Sequence, residues 1–97
     1  MAVYVDEAIW RWQGRKWCHL MADSEAELHR FALRLGVHRL SYQGPPKTSA
    51  PHYDITGIER DRAIRFGAIP CRRDEIVAIF RRVRTKTGRA GKAKELA

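Results

Sequence analysis

Ser24-Glu25-Ala26-Glu27 has the form of a capping box, in which a Ser24 hydroxyl accepts from the backbone of Glu27 and the Glu27 side chain reaches back to the helix start. Leu28, Phe31, Ala32 and Leu35 follow at i, i+3, i+4 and i+7, and Gly36 supplies a left-handed stop. The spacing predicts a helix over about 24–35 with one apolar stripe to bury. Shorter runs around it read as strands. Val3-Tyr4-Val5 ends in Asp6, a strand bringing a carboxylate to its carboxyl end, where α/β folds often place chemistry. Residues 17–22, WCHLMA, are too short for an independent helix and read as a strand or its approach. Val37 to Gln43 is a further strand candidate, with Leu40 and Tyr42 on one face and Arg39 and Ser41 on the other.

The stretch GPPKTSAP, residues 44–51, gathers Gly, three Pro and Ser and reads as an exposed, mobile loop. Order resumes at His52-Tyr53-Asp54-Ile55. A second capping box, Thr56-Gly57-Ile58-Glu59, opens a helix carrying Ile58, Ala63 and Phe66 and stopping at Gly67. Ala68-Ile69-Pro70-Cys71 reads as a connector or edge strand. Ile76, Ile79, Phe80 and Val83 then mark a third amphipathic helix. Its Asp74 and Glu75 near the start, and Arg81, Arg82 and Arg84 near the end, match the helix macrodipole. The expectation is one compact α/β (α+β) domain over 1–83, with three helices on a small sheet of three to four strands.

Leu, Ile, Val and Phe fill 21 of 97 positions, just above the roughly 20% below which a charged chain stays disordered, so the chain should fold. Net charge is +8, and the last fifteen residues hold 5 Lys or Arg against 1 acidic group. That segment has no aromatic residues and no periodicity, so 84–97 is expected to be a disordered basic tail. Such a tail either raises encounter rates with polyanions or is simply a solvated extension. No apolar run approaches a membrane span, and the first ten residues carry Asp6 and Glu7 where a signal peptide needs positive charge, so a soluble, cytoplasmic protein with no membrane partner is expected. Cys18 and Cys71 lack CxxC spacing and suit reduced thiols, with a single bridge left open.

Taken jointly, the residues form a recognisable string. Tyr4-Val5-Asp6, Trp10, Gly14, Trp17-x-His19-Leu20-x-x-Asp23, Glu27-Leu28-His29-x-x-Ala32, Gly36, Arg39, His52-Tyr53-Asp54 and Gly67-Ala68 resemble a bacterial and phage family, domain-of-unknown-function family 4031. The resemblance spans roughly 3–70, and GPPKTSAP is longer than the corresponding connection in shorter members. It implies a pattern of polar positions and no mechanism.

Asp6, His19, Asp23, His29, His52 and Asp54 are a dense set of acid/base or metal-competent groups for so small a domain. Strand ends suit Asp6 and the His52-Tyr53-Asp54 segment. Asp6, His19, His52 and Asp54 are therefore the candidates for a shared rim that holds a divalent metal and hydrolyses a phosphodiester. The plainer reading sends His52 and Asp54 to one face and Tyr53 and Ile55 to the core, with Asp54 capping the next helix. His29 reads as half-buried and structural, and His38 gives no signal. Trp10-Arg11-Trp12-Gln13-Gly14-Arg15-Lys16-Trp17 interleaves indoles with cations, as nucleic-acid binders do. Trp17 is expected in the core, while Trp10 and Trp12 suit either stacking or a core or dimer interface.

Three functions follow. The first is binding of nucleic acid or a phosphorylated ligand through Trp10, Arg11, Trp12, Arg15, Lys16, Arg39 and Tyr53. The second is a metal-assisted phosphodiesterase or nuclease at the His/Asp cluster. The third is a non-catalytic interaction protein, such as a homodimer formed through an apolar Trp-bearing surface. No phosphate-cradling Gly-rich loop or Ser-nucleophile motif is present, which argues against nucleoside-triphosphate and serine hydrolysis.

Overall fold

The computed structural model describes residues 2–84. In chain order it contains β1 (Val3–Val5), β2 (Trp10–Trp12), β3 (Arg15–Ala22), α1 (Glu25–Leu35), a 3₁₀ turn (Arg39–Ser41), β4 (Tyr42–Gln43), β5 (His52–Thr56), α2 (Gly57–Arg65), β6 (Ile69–Pro70) and α3 (Arg73–Leu96), of which residues 73–84 are described. The expected disordered basic tail lies, beyond Arg84, outside the described residues. The α/β class and three helices are as expected, but the sheet has six strands, not three or four. The strand not counted from the sequence is β2, while the two-residue strands β4 and β6 fall within the segments 37–43 and 68–71 read as candidates.

The long strand β3 organises the rest. The sheet order is β4-β5-β3-β1-β6, with β2 also paired to β3. Only β1 and β6 are parallel; the other pairs are antiparallel. β1 and β2 lie on the same edge of β3, at opposite ends: Val3–Val5 face Ala22–Leu20, and Trp10–Trp12 face Trp17–Arg15. Between these two pairings the edge of β3 at His19 is open to something other than a strand.

Alternation along β3 and β5 divides the chemistry from the core. Cys18, Leu20 and Ala22, with Val3, Val5, Tyr53 and Ile55, bury one face against Leu28, Phe31, Ala32 and Leu35 of α1 and Ala63 of α2. The other face carries His19 and Met21 of β3, and His52, Asp54 and Thr56 of β5. It is only partly covered, where Ile76, Ile79 and Phe80 of α3 pack on Met21, Ala50 and Tyr4. Asp23 ties α3 down: it accepts from the Ala2 N–H, the Tyr4 hydroxyl and the Arg82 guanidinium.

Several local expectations are corrected. The Ser24 capping box is half formed: Ser24 accepts from the Glu27 N–H at 3.2 Å, but Glu27 Oε2 is buried without a hydrogen bond. The Thr56–Glu59 box is complete. Val37 to Gln43 is not one strand, because the His38 side chain accepts from the Leu40 N–H at 3.0 Å and holds a 3₁₀ turn there. That turn leaves Leu40 86% exposed. Of the three apolar residues noted for α2, Ile58 and the C-cap Phe66 are exposed and only Ala63 is buried. The loop is exposed over Pro45–Lys47 but not throughout, since Gly44, Ala50 and Pro51 are buried. Trp17 is half-buried and not in the core. Cys18 and Cys71 are both free and buried. No helix among the described residues is long and apolar enough to cross a membrane.

Candidate metal centre

The gap on the edge of β3 is filled by a side chain. Where β1 leaves the sheet, Asp6 turns its carboxylate back and accepts the His19 backbone N–H on Oδ1 at 2.6 Å. Its Oδ2 lies 2.8 Å from His19 Nδ1. A carboxylate can only accept, so Nδ1 carries a proton and Nε2 is the ring nitrogen left for other use. Arg60 of α2 donates to the Asp6 backbone carbonyl at 2.6 Å and holds the turn in place. Asp6 is buried, while the His19 side chain keeps 38% of its surface in solvent.

His52 is oriented in the same way by a different group. Its Nδ1 lies 2.9 Å from the Ala50 carbonyl oxygen, which again requires a proton on Nδ1 and turns Nε2 the other way. Nε2 then stands 3.4 Å from Asp54 Oδ1. That is longer than the ~2.7–2.9 Å of a charge-assisted N–H···O⁻ bond, and Asp54 Oδ1 is out of solvent with no hydrogen-bond partner. Burial works against charge on the His52 ring, but Asp54, the Ala50 carbonyl and the more distant Asp6 outweigh it and raise its pKa above the ordinary imidazole value. The ring therefore sits where positive charge is wanted.

β3 and β5 bring the two histidines together because His19 is registered opposite Asp54. The His19 and His52 rings lie 5.3 Å apart, and one ligand atom from each of His19, His52 and Asp54 falls within 4.8 Å of the others. Two donors each about 2.1 Å from a tetrahedral ion are separated by about 3.4 Å, so the His52–Asp54 pair already has the span that an ion requires. An adjoining recess of about 130 Å³ is lined by Asp6, His19, Met21, Arg73, Ile76, Val77 and Phe80.

The residues expected to bind a ligand do not form one surface. Trp10 packs on His19, with ring centroids 4.6 Å apart, and so joins the cluster. Trp12 is 59% exposed, and its carbonyl accepts from the Trp17 indole. Arg11, Arg15 and Lys16 are exposed around that hairpin. Arg39 and Tyr53 lie elsewhere. Alternation puts Tyr53 on the helix-covered face, where its hydroxyl is 2.7 Å from His29 Nδ1, and Arg39 stands over the Tyr42 ring. Tyr42 in turn donates to Glu25 at 2.7 Å, and burial pushes both phenols up, so neither supplies a phenolate at neutral pH. His29 is thus half-buried and hydrogen-bonded, as expected of a structural histidine. Asp23 and His38 are likewise committed elsewhere.

Sequence reasoning missed the Ala50 carbonyl, Arg60 and the α3 wall of Arg73, Val77 and Phe80. A backbone carbonyl leaves no sequence signal. Arg60 looks like any exposed helix residue until β1 is placed beneath it.

A family described as "Protein of unknown function (DUF4031)" matches residues 3–83. No curated protein and no solved structure matches the chain.

Proposed function

The chain belongs to the DUF4031 family, and from the geometry at its sheet edge we propose that it holds one divalent transition-metal ion and uses it to hydrolyse a phosphate ester. The observation that carries this reading is the pairing of His52 Nε2 with Asp54 Oδ1. The nitrogen's partner on the other side of its ring is a carbonyl, and the oxygen is buried with nothing bonded to it. Such a pair calls for positive charge between its two atoms, which a proton on His52 Nε2 or a cation shared with His19 can supply.

Two imidazoles and one carboxylate favour Zn²⁺, Mn²⁺ or Fe²⁺ over Mg²⁺ or Ca²⁺, which take mostly oxygen ligands. Asp6 is the outer partner: it fixes the His19 tautomer and ring orientation, the role that carboxylates play behind metal-bound histidines. Bound there, the ion supplies Lewis acidity to a phosphoryl oxygen and activates water. The Ala50 carbonyl does for His52 what Asp6 does for His19. Arg73 adds positive charge beside the cluster, where a phosphate ester would lie.

The test is thermal unfolding with Mn²⁺, Zn²⁺ or Mg²⁺ added, on wild type and His52→Ala, followed by assay against phosphodiesters and nucleic acids. A ligand bound only by the folded state raises Tm, so Zn²⁺ or Mn²⁺ is expected to stabilise wild type and not the variant. Equal shifts in both proteins, or none in either, would retire the reading.

A second reading has its own observation. Trp12 stands exposed at the β2–β3 hairpin among Arg11, Arg15 and Lys16, an arrangement that stacks on a base while holding phosphates. In that reading the hairpin binds single-stranded nucleic acid. Absence of any band shift at low ionic strength would remove it.

A further inference from the structure

Beside the metal cluster, the sheet and α3 leave a recess of about 130 Å³. His19 belongs to both, with its partner Asp6 also lining the recess, and Phe80 links them, its ring lying 6.4 Å from that of His52. The remaining walls are Met21, Ile76 and Val77, with Arg73 the only cation among the lining residues. No acidic group pairs with Arg73 among the described residues. Apolar walls bind by excluding water and orient little, so the polar elements at the edge decide which way a ligand lies.

Size narrows the occupant. A dry cavity of about 150 Å³ holds one benzene ring, whereas sites for larger organic ligands run to about 300 Å³ and above. The recess, open on one side, therefore seats about one ring, and the second ring of a fused pair would stand outside it. We infer that it receives a single-ring, apolar substituent of the substrate, whose anionic ester group lies between Arg73 and the His19–His52–Asp54 centre. The substrate class is thus an aryl or similarly compact phosphoester, its ring against Phe80, Val77 and Met21. This inference rests on the metal-site reading for the position of the reacting group, while the ring's seat depends on the recess alone.

Phenylphosphonate and methylphosphonate share the anion and differ in the ring, and neither has an ester bond to cleave. Methionine carrying a ¹³C-labelled methyl group reports from Met21, one of only two methionines in the chain. In the metal-free protein, phenylphosphonate is expected to move the Met21 methyl resonance and methylphosphonate to leave it in place. Val77→Trp, a change at a half-exposed position that the fold should tolerate, is expected to abolish the response by filling the recess. Arg73→Gln is expected to weaken phenylphosphonate binding by about two- to fivefold, the range for an exposed ion pair. If both phosphonates move Met21 alike, if neither does, or if Val77→Trp binds phenylphosphonate as wild type does, the inference is overturned. Zn²⁺ addition tests the other reading separately. Tighter phenylphosphonate binding with Zn²⁺ supports the metal centre, and no change with Zn²⁺ while Met21 still responds retires the metal centre and leaves the ring site standing.

Discussion

Asp6 does three jobs with one carboxylate: it closes the open edge of β3, fixes the His19 ring and leaves His19 Nε2 free. Asp6→Asn keeps the shape but replaces an anion with a neutral amide. Loss of such an outer partner typically costs about 10–100-fold in metal affinity, so this variant should bind Zn²⁺ weaker by that factor while His52→Ala binds none at the site, as read by competition with a metal indicator. Asp23 carries a separate prediction. Its own desolvation opposes ionisation, but the Tyr4 hydroxyl, the Ala2 N–H and Arg82 more than offset this and hold its pKa below the ordinary carboxylate value. A carboxyl with a depressed folded-state pKa contributes stability that is complete above its unfolded value, near 3.8, and fades as pH falls through the folded one. Melts between pH 5 and about 2.5 should therefore show Asp23→Asn losing less stability on acidification than wild type. Parallel curves would contradict that. Cys18 needs no such test, because burial, with Asp6 nearby, pushes its thiol up to about 12 and leaves it unreactive at neutral pH.

The helices differ in what holds them. α1 buries Leu28, Phe31, Ala32 and Leu35, so Leu28→Ala should cost about 2–5 kcal/mol by denaturant titration, the range for emptying a packed core position. α2 buries only Ala63 and depends on its complete capping box and on Arg60. Thr56→Ala should therefore cost about 1 kcal/mol, and because α2 carries Arg60 to the Asp6 carbonyl, it should also loosen the metal centre. The α1 stripe and both cap positions were legible in the sequence because periodicity and capping are local signals. The 3₁₀ turn at Arg39–Ser41 was not, since alternation around Leu40 looked like a strand and only the His38 side chain's bond to the backbone decides otherwise. Ile58, an apolar residue at a helix start, stays 79% exposed.

At the scale of the whole molecule, two faces of one sheet separate structure from chemistry. Alternation in His52-Tyr53-Asp54-Ile55 was readable, and it sends Tyr53 to the core and the His/Asp pair to the other side. The grouping of His19 with that pair was an expectation from residue type and strand ends alone, because the distances depend on the register of β3 against β5, set by packing across the entire sheet. The same separation divides the cations, leaving Arg39 away from the hairpin that carries Arg11, Arg15 and Lys16. If that hairpin holds single-stranded DNA, replacing those three residues by Ala should lower the slope of log affinity against log salt by about 2, at ~0.7 per phosphate contact. An unchanged slope would place the contacts elsewhere. Whether His19, His52 and Asp54 share one cation is read by calorimetric titration of the chelator-stripped protein with Zn²⁺, beside His52→Ala. One ion per chain in wild type, lost in the variant, is the predicted result; no heat of binding, or the same binding in both proteins, would contradict it.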